Sequence, residues 1–242
     1  MNHGNIYLGS SGWAYPSWKP DFYPATVSAK KLLEFYATRL NSVEVNYTFR
    51  SLPAETTIRS WLGATGEGFR FSFKAPQRIT HILRLTNCSE PLERFARAIA
   101  PVAEAGRLGV ILVQLPPNMK ANTDLLSAFL AEARPFHLRA AFEFRNTTWF
   151  TEPVYTILRD HGAALCIAES DELSTPAEIT APYSCYRLRK ADYSAADLAS
   201  IRDNLKAQAA QGDVFAYFKH EEDPTAALQA ASLLAELRQH ES

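Results

Sequence analysis

Four short runs set charged side chains between large apolar ones: Ser42-Val-Glu-Val-Asn46, Phe69-Arg-Phe-Ser-Phe-Lys74, Phe142-Glu-Phe-Arg145 and Tyr186-Arg-Leu-Arg189. Their residue types suit acid–base and anion chemistry. Glu44 and Glu143 could divide the work of general acid and general base if their surroundings split their pKa values. Arg145, Arg187, Arg189 and Lys219 could clamp phosphate or carboxylate oxygens. Lys74, set among cations, could work at a lowered pKa and form a Schiff base, and pairing with Glu44 or Glu143 is its simpler role. His81, in Ile79-Thr-His81, is of the type that shuttles protons or caps a loop. Trp13 and Tyr15, with Trp18 in the same loop, could stack on a base or sugar ring, or form a hydrophobic cap. Asn46 and Gln114 complete the set as polar ligand-binding candidates.

These residues need elements that bring them together. Strand-like runs are expected at 6–11, 42–46, 69–74, 108–115, 139–145, 164–169, 183–189 and 214–219. Helical runs follow nearly every one. One starts at Ser28 and ends at Arg39, another opens at Ser51-Leu-Pro53, and others cover 91–105, 122–134, 153–161, 195–211 and 224–239. Only 170–182 lacks a full helix, although Thr175-Pro-Ala-Glu178 has the form of a capping box. Strict β/α alternation implies parallel strands with helical crossovers. Eight units in 242 residues predict an α/β fold of the TIM type, a (β/α)8 barrel with an irregular or missing helix after strand six. A doubly wound open sheet is the alternative, but Ser10-Ser-Gly-Trp13 is not its glycine-rich fingerprint.

Period-two alternation then assigns faces. If the large apolar residues face the helices, Ser42, Glu44, Asn46, Arg70, Ser72, Lys74, Gln114, Glu143, Arg145, Cys185, Arg187, Arg189 and Lys219 face inward. Glu169 is expected to join them at the end of strand six. Six cations against three carboxylates leave three positive charges in excess within the barrel and its mouth. Buried charges need partners, so these groups imply an ion-pair network, an open polar pocket, or both.

The overall balance fits a confined site. The chain is 47% hydrophobic and 21% charged with a formal net charge of −1, which opposes disorder and a broadly basic surface but permits a basic pocket. Cys88, Cys166 and Cys185 have no redox or metal spacing and are expected to be small buried hydrophobes. No secretory signal or membrane-length apolar stretch is visible. The expectation is a cytoplasmic protein forming one domain over 1–242, with no membrane and no obligate protein partner.

The same stretches resemble the YecE-like family, catalogued as domain of unknown function 72. The resemblance lies in Gly9-Ser-Ser-Gly-Trp-Ala-Tyr15 with Trp18 and Phe22-Tyr-Pro24, in Asn41-Ser-Val-Glu-Val-Asn46 with Thr48-Phe49, and in Phe71-Ser-Phe-Lys-Ala-Pro76 with Ile79-Thr-His81. It continues through Gln114-Leu-Pro-Pro117 and Phe142-Glu-Phe-Arg145 with Trp149. The resemblance implies a TIM-type barrel and a set of positions, but no reaction. Arg187-Leu-Arg-Lys190 and Lys219-His-Glu-Glu222 depart from the segments that family members often carry there.

Three functions fit these residues. The first is an enzyme acting on an anionic ligand, such as a phosphorylated sugar, a nucleotide or a nucleic-acid fragment. The second is a non-catalytic module binding the same ligands, which only turnover would distinguish. The third is a metal-dependent hydrolase or isomerase. Against the third, only His81 and His220 fall near strand ends and the surrounding cations would repel a metal, so no metal ligands are assigned and any cofactor stays open.

Overall fold

The computed structural model describes residues 3–169, 173–190, 192–219 and 223–239. In chain order the main elements are β1 (Ile6–Ser10), α1 (Leu32–Arg39), β2 (Ser42–Val45), α2 (Glu55–Gly63), β3 (Arg70–Lys74), α3 (Ser89–Glu104), β4 (Leu108–Gln114) and α4 (Thr123–Ala133). They continue with β5 (Ala140–Glu143), α5 (Glu152–Asp160), β6 (Ala164–Ala168), β7 (Tyr183–Leu188), α6 (Ala195–Ala209), β8 (Asp213–Phe218) and α7 (Thr225–Gln239). The strands pair in parallel from β2 round to β8, and β8 pairs with β1. The fold is the expected TIM-type (β/α)8 barrel, without a helix between β6 and β7 in the described residues.

Closure between β1 and β2 depends on side chains. One backbone bridge joins Ser11 to Glu44 at the top of the seam. Below it, Asn41 accepts the Leu8 N–H at 2.7 Å and donates to the Ile6 carbonyl at 2.9 Å. The Tyr36 hydroxyl accepts the Ser10 N–H at 2.8 Å and donates to the Ser42 carbonyl at 3.0 Å. These bonds satisfy backbone groups that a regular ladder would have paired. A Cβ on Gly9 would lie 2.1 Å from the Ser42 carbonyl oxygen, so only glycine lets the strands approach this closely.

Two apolar layers follow the alternation. Val43, Val45, Phe71, Phe73, Phe142 and Phe144 point outward and pack under helices through Tyr36, Ile58, Phe95, Ile99, Phe129 and Leu158. Tyr7, Val110, Leu112, Ala141, Cys166, Cys185, Phe215 and Tyr217 fill the barrel interior. Each large side chain buried in this way stabilises the fold by roughly 1.5–3 kcal/mol. The Tyr217 hydroxyl lies 2.8 Å from Ser42 Oγ and donates to Ser72 Oγ at 2.6 Å, so the buried polar atoms of this layer satisfy one another.

Three local expectations are corrected. Thr175–Glu178 forms no capping box: Thr175 donates to the Ala168 carbonyl at 3.1 Å, and Glu178 pairs with Arg159 at 3.6 Å. Thr180 ties this segment to the bottom of β6, accepting the Leu165 N–H and donating to the Ala163 carbonyl, so the chain runs across instead of coiling. The capping box of this half is Ser194 with Asp197, which opens α6. Glu169 does not face inward. Cys166 is the inward residue paired with Cys185, so Glu169 has the opposite parity, and it accepts the Arg189 N–H at 2.9 Å and the Tyr193 hydroxyl. Arg70 faces inward but at the N-terminal end of the barrel, where it lies over the Tyr7 ring and donates to the Glu67 carbonyl at 2.9 Å.

Candidate functional site

Arg187 is the hub of the C-terminal mouth. It projects from β7 and is 1% exposed. One terminal nitrogen donates to Glu143 Oε2 at 2.5 Å and the other to Glu44 Oε1 at 2.8 Å. The two carboxylates from β2 and β5 are thus bridged by one guanidinium instead of facing an open space. Glu143 Oε1 also accepts from Gln114 at 2.9 Å, Arg145 at 3.1 Å and Arg189 at 2.8 Å. Glu44 Oε1 takes a further bond from Ser11 Oγ at 2.7 Å, while its buried Oε2 has no hydrogen-bond partner among the described residues.

A second cluster lies between the ends of β2 and β3. Lys74 is half-buried, with its Nζ 4.2 Å from the centre of the Phe49 ring. His81 meets the same ring edge-on at 5.1 Å, and its Nδ1 lies 2.8 Å from Thr80 Oγ1. His81 sits on a single π-helical turn over Arg78–Ile82, while Phe49 belongs to a 3-10 turn over Tyr47–Phe49. Thr48 Oγ1 donates to the Lys74 carbonyl at 2.6 Å and ties the 3-10 turn to the end of β3. Among the described residues Lys74 forms no ion pair.

The aromatic loop after β1 is packed rather than open. Trp13 meets Trp61 edge-on at 5.3 Å, and Tyr15 lies 4.7 Å from Trp18 while its hydroxyl donates to the Ser11 carbonyl. Both side chains are partly buried against the main core. This packing is of the kind the hydrophobic-cap alternative for Trp13 and Tyr15 describes, and both side chains keep partial exposure.

The comparisons with known proteins bear on the whole constellation. The family model described as "Protein of unknown function DUF72" matches residues 7–242. The chain belongs to the DUF72 family. UPF0759 protein YecE of Escherichia coli strain K12 is 33% identical over 147 residues, covering 61% of this chain and 51% of the relative. The chain spans about half the length of the curated relatives it matches. A crystal structure of a DUF72 family protein from Thermotoga maritima superposes with a TM-score of 0.82 at 25% identity, covering 96% of this chain and 99% of that one. A sugar phosphate isomerase/epimerase from Parabacteroides distasonis shares the fold, with a TM-score of 0.55 at 10% identity, covering 96% of this chain and 98% of that one.

Within this DUF72 chain the electrostatics follow from the contacts. Burial alone would raise the Glu143 carboxyl, but Arg187, Arg189 and Arg145 outweigh it and hold the group at about 2. Glu143 is therefore ionised at neutral pH with four donors on its oxygens, and proton transfer there would require these pairs to break. Lys74 is lowered to about 8 by burial first and then by Arg187, with Lys219 adding to the effect and Glu44 and Glu143 opposing it. Burial, then Lys74, Arg145 and Arg84, lowers the His81 imidazole, which favours its neutral form.

The predicted site residues therefore separate by accessibility. Arg187 and Gln114 are sealed beneath the mouth and hold Glu143, out of reach of a ligand. Arg145, Arg189, Lys74, Lys219, His81 and Asn46 keep partial exposure at the mouth. His220 lies outside the described residues. With Arg70 and Glu169 gone from the set, the inward charged residues among those described at the mouth are five cations and two carboxylates. Sequence reasoning missed Ser11 and Phe49. Ser11 shares the inward phase of β1, a usable signal, whereas the position of Phe49 under Lys74 depends on how two turns pack.

Proposed function

We propose that the C-terminal mouth of this barrel binds a small anionic ligand through phosphate or carboxylate oxygens, and that the protein is an enzyme acting on it. One observation carries this reading: Arg145, Arg187, Arg189 and Lys74 converge on the mouth, and the inward carboxylates that meet them among the described residues are two, Glu44 and Glu143, with Glu143 shared by three arginines. Such a cation-rich rim on low-dielectric walls attracts anions. In TIM-type barrels this end carries the chemistry.

Glu44 and Glu143 serve this reading as organisers of the arginines, not as an acid–base pair. A purely binding role would use the same rim and differs only in turnover. For the metal-dependent alternative the geometry offers little: among the described residues no three His, Cys, Asp or Glu side chains gather where they could hold an ion.

The test is thermal-shift and calorimetric titration with inorganic phosphate, phosphorylated sugars, nucleotides and a short oligonucleotide. A ligand at a hundred times its Kd adds about 2.7 kcal/mol of stability. Removing one charge-assisted bond with Arg145→Met or Lys219→Met should weaken binding by about 10-fold. If none of these anions shifts the transition, or if both variants bind as tightly as the parent, the reading fails.

A further inference from the structure

We propose that Lys74 is a nucleophilic amine, and that the ligand class of the mouth is a small aldehyde or ketone carrying a phosphate or carboxylate group. The proposal rests on the anion-binding reading above and adds a covalent step to it.

Three geometric facts place Lys74 in this role. It ends β3, faces the mouth by strand parity, and keeps partial exposure, whereas Arg187 beneath it is sealed. Both carboxylates in the mouth are occupied by Arg187, so no carboxylate among the described residues holds the Lys74 ammonium. Its Nζ lies over the Phe49 ring, and the His81 imidazole meets that same ring. An amine and an imidazole thus flank one apolar surface on which the carbon skeleton of a small carbonyl compound can rest.

The charged groups around Lys74 are Arg187 on β7, Lys219 after β8, Glu44 on β2, Glu143 on β5 and His81 on the turn after β3. Burial and the cations prevail over the two carboxylates, and the amine falls to about 8. Roughly a tenth of it is then neutral at pH 7, against well under a hundredth for an ordinary lysine. A desolvated lysine beside other cations is the usual source of a reactive amine.

The step is balanced without an oxidant or reductant. The neutral Nζ adds to the carbonyl carbon to give a carbinolamine. A proton moves from nitrogen to oxygen, the C–O bond breaks, water leaves, and the C=N bond of an imine remains. His81, favoured in its neutral form, is suited to carry the proton. Arg145 and Arg189 would meanwhile hold the anionic end.

The probe is pyridoxal 5′-phosphate, a phosphorylated aldehyde, followed by borohydride reduction and mass mapping of peptides. At pH 7.5 the adduct at Lys74 should form about 10-fold or more faster than at the exposed Lys30, Lys31 and Lys120, with a rate midpoint near 8 and slowing by excess inorganic phosphate. Lys74→Arg and Lys74→Met, both checked for folding by circular dichroism, should lose the adduct at this position while Lys30 still labels at its parent rate. If phosphate binds but Lys74 labels no faster than Lys30, the amine role is overturned and the anion reading stands. If Lys74 labels fast but phosphate neither binds nor slows it, the anion reading fails and the ligand class proposed here falls with it.

Discussion

Replacing Glu143 by Gln tests the central ion-pair cluster with the least change in shape. The carboxylate accepts three donors on Oε1 and the Arg187 guanidinium on Oε2. An amide that keeps its oxygen toward the three donors must turn its NH2 toward Arg187, which sits 2.5 Å from the oxygen it replaces. Arg187 would then be a sealed cation bonded only to Glu44 among the described carboxylates. Breaking a buried pair in this way costs about 3–5 kcal/mol. Titration leads to a similar figure by another route. The carboxyl falls from an ordinary 4.5 to about 2, which corresponds to about 3 kcal/mol at pH 7. Because the folded value is the depressed one, this stability is present above about 4.5 and is lost as pH falls through 2, with roughly half remaining at pH 3. Urea denaturation at pH 7 should show Glu143→Gln less stable by about 3 kcal/mol, equivalent to roughly 6–12 °C in Tm for a chain of this size. The gap from the parent should narrow by pH 3. A loss below about 1 kcal/mol at pH 7, or a gap that does not change with pH, would refute the reasoning.

Other expectations concern the seam and the thiols. Tyr36→Phe removes the hydroxyl that joins β1 to β2 and should cost about 2 kcal/mol by urea denaturation, because a buried N–H and carbonyl lose their partner; no measurable loss would mean that the seam is closed by other means. Cys166 and Cys185 are neighbours inside the barrel, and burial pushes the Cys166 thiol up. Cys88 is raised to about 11, by burial first and then by Glu132. All three thiols should stay inert to a disulfide reagent at pH 8 until the protein is unfolded. A thiol that reacts within minutes in the native protein would contradict this packing.

Much of this was legible in the residues because period-two alternation is a local property. It reports which face a side chain joins, and it placed Glu44, Lys74, Glu143 and Arg187 inside. Alternation does not report height along the barrel axis, because strand tilt and stagger set that coordinate. Arg70 and Lys74 share a strand and a face, yet one lies at the N-terminal end and the other in the mouth. Parity itself holds in β6, where Cys166 faces in and Leu165 and Ile167 face out, and it turns Glu169 outward; the inward expectation misjudged the phase of that strand. The aromatic loop was open to two readings for a similar reason: whether Trp13 packs or binds depends on Trp61, which is 48 positions away in sequence.

The sequence by itself determined the (β/α)8 order, the inward phase of the charged residues and their positive excess, since each follows from residue type and spacing along one strand. Only the tertiary structure decided the partners. Arg187 from β7 meets Glu44 from β2 and Glu143 from β5 across the barrel, and that single guanidinium occupies both carboxylates. Its reach depends on the curvature that brings three distant strands within about 3 Å of one another's side-chain tips, a distance at which charge-assisted bonds form. The same closure buries Lys74 beside Arg187, and that burial, then Arg187, lowers its pKa.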